Sequence, residues 1–153
     1  MKEKLAAQVN LKNKRAGFDY EILASLTAGI VLSGTEIKSI RQQKITMQDC
    51  YCQFRGHELF LLNLHIAPYE HGTYNNPPAK RDRKLLLKKQ ELKKWLTRTE
   101  EKGLTIVLQR IFIDEKGRCK AEIGLARGKK QHDKRETLKE RDLTRELRSN
   151  EHS

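Results

Sequence analysis

The chain has 153 residues, and its 32 Lys+Arg against 20 Asp+Glu give a formal net charge of +12. That length makes one domain with at most an appendage, and no apolar run approaches the ~20 residues that a membrane span requires. The excess of cations says little about fold but selects polyanionic partners, nucleic acid first and an anionic membrane surface second.

The opening "MKEKLAAQVNLKNKRAG" lacks the apolar core of a secretory signal. Cys50, Cys52 and Cys119 are odd in number and unlike a disulfide framework. A cytoplasmic protein with reduced thiols is the expectation. "CYC" places two thiols on one side of a strand, and no His or Cys pair elsewhere completes a zinc spacing. The cysteines are therefore read as small strand hydrophobes and not as metal ligands.

Residues 1–16 are polar and basic. From Phe18 the pattern has period two, with Phe18, Tyr20 and Ile22 on one side and Asp19 and Glu21 on the other, a half-buried strand. "AGIVL" (28–32) predicts a buried strand ahead of Gly34. In "GTEIKSIRQQK" the period switches: Thr35 can cap, Ile37 and Ile40 sit three apart, and Lys38 and Arg41 share another face. This predicts a short helix with two cations on its solvent side.

"CYCQFRGHELFLLNLHI" predicts a hairpin, with Phe60, Leu62, Leu64 and Ile66 alternating. "LTIVLQRIFIDEKGRCKAEIGLA" predicts a second, turning at Asp114–Gly117. Between them, "APYEHGTYNNPPAKRDR" is a Gly-, Asn- and Pro-rich loop. It leads into "KLLLKKQELKKWLTRTEEKG", read as a helix closed by Gly103. Leu85, Leu92 and Leu96, with Trp95, form its apolar face, while Lys88, Lys89, Lys93 and Lys94 point outward.

About six mostly antiparallel strands predict a mainly β fold with peripheral helices, and closure into an OB-like antiparallel β-barrel removes exposed edges. A ferredoxin-like sandwich is the competing topology. The boundary falls at residue 130, with the barrel over 1–130 and a basic C-terminal tail over 131–153. Leu138, Leu143 and Leu147 are the tail's large apolar side chains. They offset too little ordering entropy, so the tail is expected to be disordered when free. Glu136, Lys139, Glu140 and Arg145 put charges of both signs at helical reach, ready for a helix against a polyanionic partner.

No catalytic set emerges. His57, His65, His71, His132 and His152 are scattered, without His-x-x-x-His spacing, a phosphate-cradling Gly-rich loop or a Gly-x-Ser-x-Gly elbow. Glu36, Asp49 and Glu58 have only the acid–base capacity of any carboxylate. The expectation is a binding protein with no catalytic residue, cofactor, metal or small-molecule substrate. The alternative is an RNA-processing enzyme or a ribosome-assembly chaperone on the same barrel, which a search for turnover separates.

Cations do cluster: Lys12, Lys14 and Arg15; Lys38, Arg41 and Lys44; Lys80, Arg81, Arg83 and Lys84; Arg127, Lys129 and Lys130. They stand at strand ends and helix starts, without matching acids in the pattern. Contacts from such clusters to phosphates give affinity with a steep salt dependence. Aromatic residues make up only 6 % of the chain, which favours a folded RNA read by shape and backbone over stacked single strands. Tyr69, Tyr74 and Asn75 are the candidates for a base contact.

Three strings carry a resemblance: "AGIVLSGTEIKSIRQQKITMQDCY", "LNLHIAPYEHG" leading into "RDRKLLLKKQEL", and "IGLARGKKQHDKR". In that order the chain, from "NKRA" at Asn13 to the tail, is similar to the SsrA-binding protein (small protein B) family, bacterial partners of transfer-messenger RNA in trans-translation. The resemblance implies an OB-type barrel that clasps the elbow of the tRNA-like domain, where D-loop and T-arm meet. It also implies a tail that enters the ribosome, at the decoding centre and in the empty mRNA channel.

Carried over by position, the RNA-facing residues are Asn13, Lys14 and Arg15, then Glu36, Lys38, Ser39 and Arg41, then Arg83, Lys84 and Leu86. The ribosome-facing residues are Gly128, Lys129, Lys130, Asp133, Lys134 and Arg135. Two departures stand out. Thr27 occupies a position where the family usually has Glu, and "NNPPAKRDRK" has one more residue between Pro and Arg-x-Arg than the common pattern.

Overall fold

The computed structural model describes residues 9–69, 76–100 and 103–129. Nine strands and three helices follow in chain order: β1 (Asn10–Lys12), α1 (Lys14–Asp19), β2 (Tyr20–Ile30), α2 (Gly34–Arg41), β3 (Ile45–Thr46), β4 (Tyr51–Arg55), β5 (Glu58–Leu62), β6 (His65–Ile66), β7 (Arg83–Leu86), α3 (Lys89–Thr99), β8 (Leu104–Ile113) and β9 (Cys119–Gly128). Mainly β with peripheral helices is the class observed.

Neighbours run β8-β4-β5-β7-β2-β9, and β9 pairs again with β8, so six strands close a ring of antiparallel ladders. β8 is the hub. One of its edges takes β9, and the other is shared end to end by β4 at Ile106–Val107 and β1 at Arg110–Phe112. The short β3–β6 pair stands apart.

Alternation explains the core. Leu59 and Leu61 of β5, Leu85 of β7, Ile106, Leu108 and Ile111 of β8, and Ile123 and Leu125 of β9 point inward and are buried in one cluster. Two register shifts bend the long strands, between Ile22 and Ala24 in β2 and between Leu108 and Arg110 in β8. The Gln109 side chain folds over Gly124 and accepts from Ser25 Oγ at 2.9 Å. α3 lays Trp95 and Leu92 on the same core. The hairpin turns need Gly56 (φ 65°) and Gly117 (φ 80°), where a side chain would be strained.

Four expectations are revised. The two strands read at Phe18–Ile22 and at 28–32 are one, β2, and Phe18 belongs to α1. Tertiary packing decides this, because Ala16 of α1 buries against Val107 and Ala126 on the outside of the sheet. The cap of α2 is Ser33 rather than Thr35, in a reciprocal capping box with Glu36. "RKLL" is strand β7, not the first turn of a helix, since it is needed between β5 and β2 to complete the ring. The helix begins only after Lys88, whose N–H donates to Glu91.

Candidate nucleic-acid interface

The sequence joins Glu36 on α2 to Arg81 and Arg83 at the start of β7, and these three form the most heavily hydrogen-bonded polar group of the described residues. Glu36 is 3 % exposed and Arg83 0 %. Arg83 Nε donates to Glu36 Oε2 at 2.8 Å and Nη2 lies 2.6 Å from the same oxygen. Arg83 Nη1 donates to Leu64 O (2.6 Å) and Arg81 O (3.1 Å), and Nη2 to Ala79 O (3.0 Å). Arg81 donates to the Glu36 carboxylate through Nε and Nη2, and to Val31 O at 3.2 Å. Ser33 N–H completes the set on Glu36 Oε1 at 3.0 Å.

Burial pushes the Glu36 carboxyl up, but the hydrogen bonds from Arg81, from Ser33 N–H and from Arg83 outweigh it and hold the group below the usual glutamate value. Burial likewise pulls Arg83 down, against the opposing pull of Glu36. The group ties together the end of β2, the first turn of α2, the segment before β6 and the start of β7. R-x-R on an extended chain aims both guanidiniums to one side.

This arrangement revises part of the expected RNA-facing set. Glu36 and Arg83 are enclosed in the knot. Ser39 is 1 % exposed and donates to Ala67 O at 2.7 Å. These three have almost no surface to offer a ligand. Asn13 is committed as well, its Nδ2 donating to Leu108 O at 2.9 Å and its N–H to Gln109 O at 2.8 Å.

The exposed members are different residues. Lys38 and Arg41 project from the solvent side of α2, with Lys38 over the Tyr69 ring at 5.2 Å. Tyr69 and Asn76 exchange hydrogen bonds, Tyr69 N–H to Asn76 Oδ1 and Asn76 Nδ2 to Tyr69 O, which closes the base of the long loop. Lys14 and Arg15 are exposed, and together with Lys12, Asn13, Met47 and Gln48 they line a groove of about 330 Å³. That groove joins the β1–α1 corner to the segment that follows β3.

Lys84 lies on the outer face of β7, 3.3 Å from Glu58, and Leu86 is 53 % exposed beside Gly29. Gly128 pairs with Tyr20. Lys129 is clasped by α1, its N–H donating to Asp19 O at 2.9 Å and its Nζ to Gly17 O at 3.1 Å. The expected contacts at Tyr74, Asn75, Lys130, Asp133, Lys134 and Arg135 lie outside the described residues, as does the tail.

The cations are also better matched by acids than the pattern suggested. Arg15 pairs with Asp19, Arg55 with Asp82 and Arg110 with Glu122. Thr27 stands exposed on β2 opposite Glu122 of β9. Arg81 was read only as one cation of the Lys80–Lys84 cluster; its pairing with the buried Glu36, 45 residues away, was not foreseen.

The fold and its rim define a β-ring protein that presents cations from a helix, a helix–strand corner and a strand face, the build of a binder of polyanions. The chain belongs to the SmpB protein family, whose model matches residues 10–152. An SsrA-binding protein of Phocaeicola vulgatus is 56 % identical over 139 residues, 91 % of this chain and 93 % of that one. One from Thermus thermophilus is 48 % identical over 137 residues, 90 % and 95 % of the two chains. A chain in the solved structure "tmRNA-SmpB: a journey to the center of the bacterial ribosome" superposes with a TM-score of 0.69 at 47 % identity, covering 85 % of this chain and 94 % of that chain.

Proposed function

We propose that this protein binds the tRNA-like domain of transfer-messenger RNA and delivers it to stalled ribosomes for trans-translation, peptide tagging and ribosome rescue, acting in the cytoplasm as a binding adaptor without catalysis. The observation that carries the reading is the family match across residues 10–152, which takes in both the strand ring and the tail. The relatives bear the name SsrA-binding protein, and the structural neighbour is described in the words tmRNA-SmpB and bacterial ribosome.

In this reading the ring, residues 1–130, is an OB-like barrel and the RNA-binding unit. Residues 131–153 are a tail that orders as a helix in the ribosome. Lys14, Arg15, Lys38, Arg41 and Lys84 meet RNA phosphates, with Leu86 as an apolar contact beside them. Gly128, Lys129, Lys130, Asp133, Lys134 and Arg135 lead the tail toward the decoding centre and the empty mRNA channel. Cations on separate elements recognise a folded RNA because only a matching backbone path reaches all of them at once. Each phosphate neutralised adds about 0.7–0.9 to the slope of log K against log salt.

The test is competition binding. The isolated tRNA-like domain is expected to bind with a steep salt slope and to resist displacement by an unrelated hairpin of equal length. Equal displacement by that hairpin refutes the reading.

A further inference from the structure

The knot around Glu36 holds two guanidiniums and one carboxylate, so one positive charge is left over. The hydrogen bonds say where it resides. Arg83 is wholly buried, and its donors are directed at Glu36 and at the carbonyls of Leu64, Ala79 and Arg81. Nothing of it remains to offer outward. Arg81 differs. Its side chain is 28 % exposed, and Nε and Nη2 are fixed by Glu36 and Val31 O. Among the described residues its Nη1 meets only Asp82 O, at 3.4 Å, beyond the ordinary N–H···O range. The Asp82 carboxylate is not a substitute partner, because Arg55 holds it at 2.6 Å.

From this geometry we infer that Arg81 is a phosphate-contacting residue of the RNA interface, held in its contact position by the buried Glu36, while Glu36 and Arg83 are positioning residues only. The inference rests on the reading that this chain binds tRNA-like RNA, and it adds to the interface a residue that the resemblance did not supply. A guanidinium already locked by its partners loses little side-chain freedom when a phosphate arrives. It also presents a charge-assisted donor in a fixed direction. Arg81 lies against Glu36 in the first turn of α2, on the side of the helix away from the exposed Lys38 and Arg41, so it adds a contact on a second flank of that helix.

The experiment measures the affinity of the full chain for the isolated tRNA-like domain at several salt concentrations, for wild type, Arg81→Gln and Arg81→Lys. Far-UV circular dichroism and Trp95 fluorescence report whether each variant is folded. The expected result for Arg81→Gln is weaker binding with a salt slope lower by about 0.7–0.9, the value of one phosphate contact. Arg81→Lys keeps the charge and loses the fork, so the wild-type slope with severalfold weaker binding is expected.

Weaker binding of folded Arg81→Gln at an unchanged slope makes Arg81 a positioning residue and overturns the inference. Unchanged affinity overturns it too. Should Arg81→Gln fail to fold, Arg81→Lys decides, and wild-type affinity there overturns the inference. Failure of the underlying reading appears separately, as a wild-type protein that binds an unrelated hairpin as tightly as the tRNA-like domain.

Discussion

Replacing Glu36 by Gln tests what the buried knot contributes to the fold. The substitution keeps the shape of the side chain but removes the carboxylate that, among the described residues, pairs with both Arg81 and Arg83. An amide oxygen can still accept from one guanidinium. The amide nitrogen then points a donor at the other, and Arg83 is left as a buried, uncompensated cation. Breaking a buried pair on one side costs about 3–5 kcal/mol, and the retained oxygen places Glu36→Gln near ~3 kcal/mol. Against a typical stability of about 5–15 kcal/mol, that is a large share. With about 2–4 °C per kcal/mol for a chain of this size, the melting temperature falls by roughly 6–12 °C.

Urea titration followed by the fluorescence of Trp95, the sole tryptophan, which is buried against the core, measures the change directly. The midpoint is expected to fall with an unchanged slope. The pH dependence supplies the sign. The folded state holds Glu36 below its ordinary value, so its stabilising contribution is fully present above the unfolded carboxyl value, about 4.3. It is lost as pH falls through the lower, folded value. Wild type and Glu36→Gln should therefore differ most at neutral pH and converge in acid. A loss under about 1 kcal/mol at pH 7, or a gap that persists in acid, refutes the role given to this knot.

Asn13→Ala removes the side-chain bond to Leu108 O and is expected to cost about 1 kcal/mol of stability by urea titration, with little change in the salt slope of RNA binding. A lowered slope would instead make Asn13 a ligand contact. The thiols of Cys50 and Cys119 are pushed up to about 12 by burial, and burial raises Cys52 as well. Alkylation by iodoacetamide at pH 8 should therefore be negligible in the native protein and complete in urea, as read by mass spectrometry. Deleting residues 136–153 should leave binding of the tRNA-like domain within about twofold, a change under 0.5 kcal/mol. Peptide tagging in a reconstituted translation system should be abolished. Collapse of RNA binding would contradict the division between ring and tail.

The sequence showed the fold best where alternation was long and hairpin turns were punctuated by glycine. β4, β8 and β9 followed directly from "CYCQF", "LTIVLQRIFI" and "RCKAEIGLA"; "LFLLNLHI" instead divides into β5 and β6, and Leu59 and Leu61, not Phe60 and Leu62, join the core cluster. It misled where tertiary contacts overrode local pattern. Phe18 continues the alternation of Tyr20 and Ile22, yet α1 is helical because Ala16 has a sheet face to cover. The three leucines of "KLLL" fit a helix face equally well, and only the gap between β5 and β2 makes that segment a strand.

The candidate site shows a similar limit. Charge type and spacing placed Lys38 and Arg41 correctly on the open side of α2. They did not reveal that Glu36, Ser39 and Arg83 in the same strings face inward, because burial of a charge depends on a partner distant in sequence. Glu36 and Arg83 are 47 residues apart. Within one string, exposed and buried residues alternate, so the string alone does not say which of them face solvent.

The clasp on Lys129 has a mechanical meaning. β9 runs between β2 and β8, paired with both along nearly all of its length, and its last residues are fastened to α1. A pull on Lys129 along the axis of β9 loads the hydrogen bonds of both ladders together in shear rather than unzipping them one by one. The bonds of Lys129 to Asp19 O and Gly17 O share that load with α1, the helix that carries Lys14 and Arg15. The end of β9 is thus braced three ways, by the β2 ladder, by the β8 ladder and by the clasp on α1, and no single bond there carries a load alone.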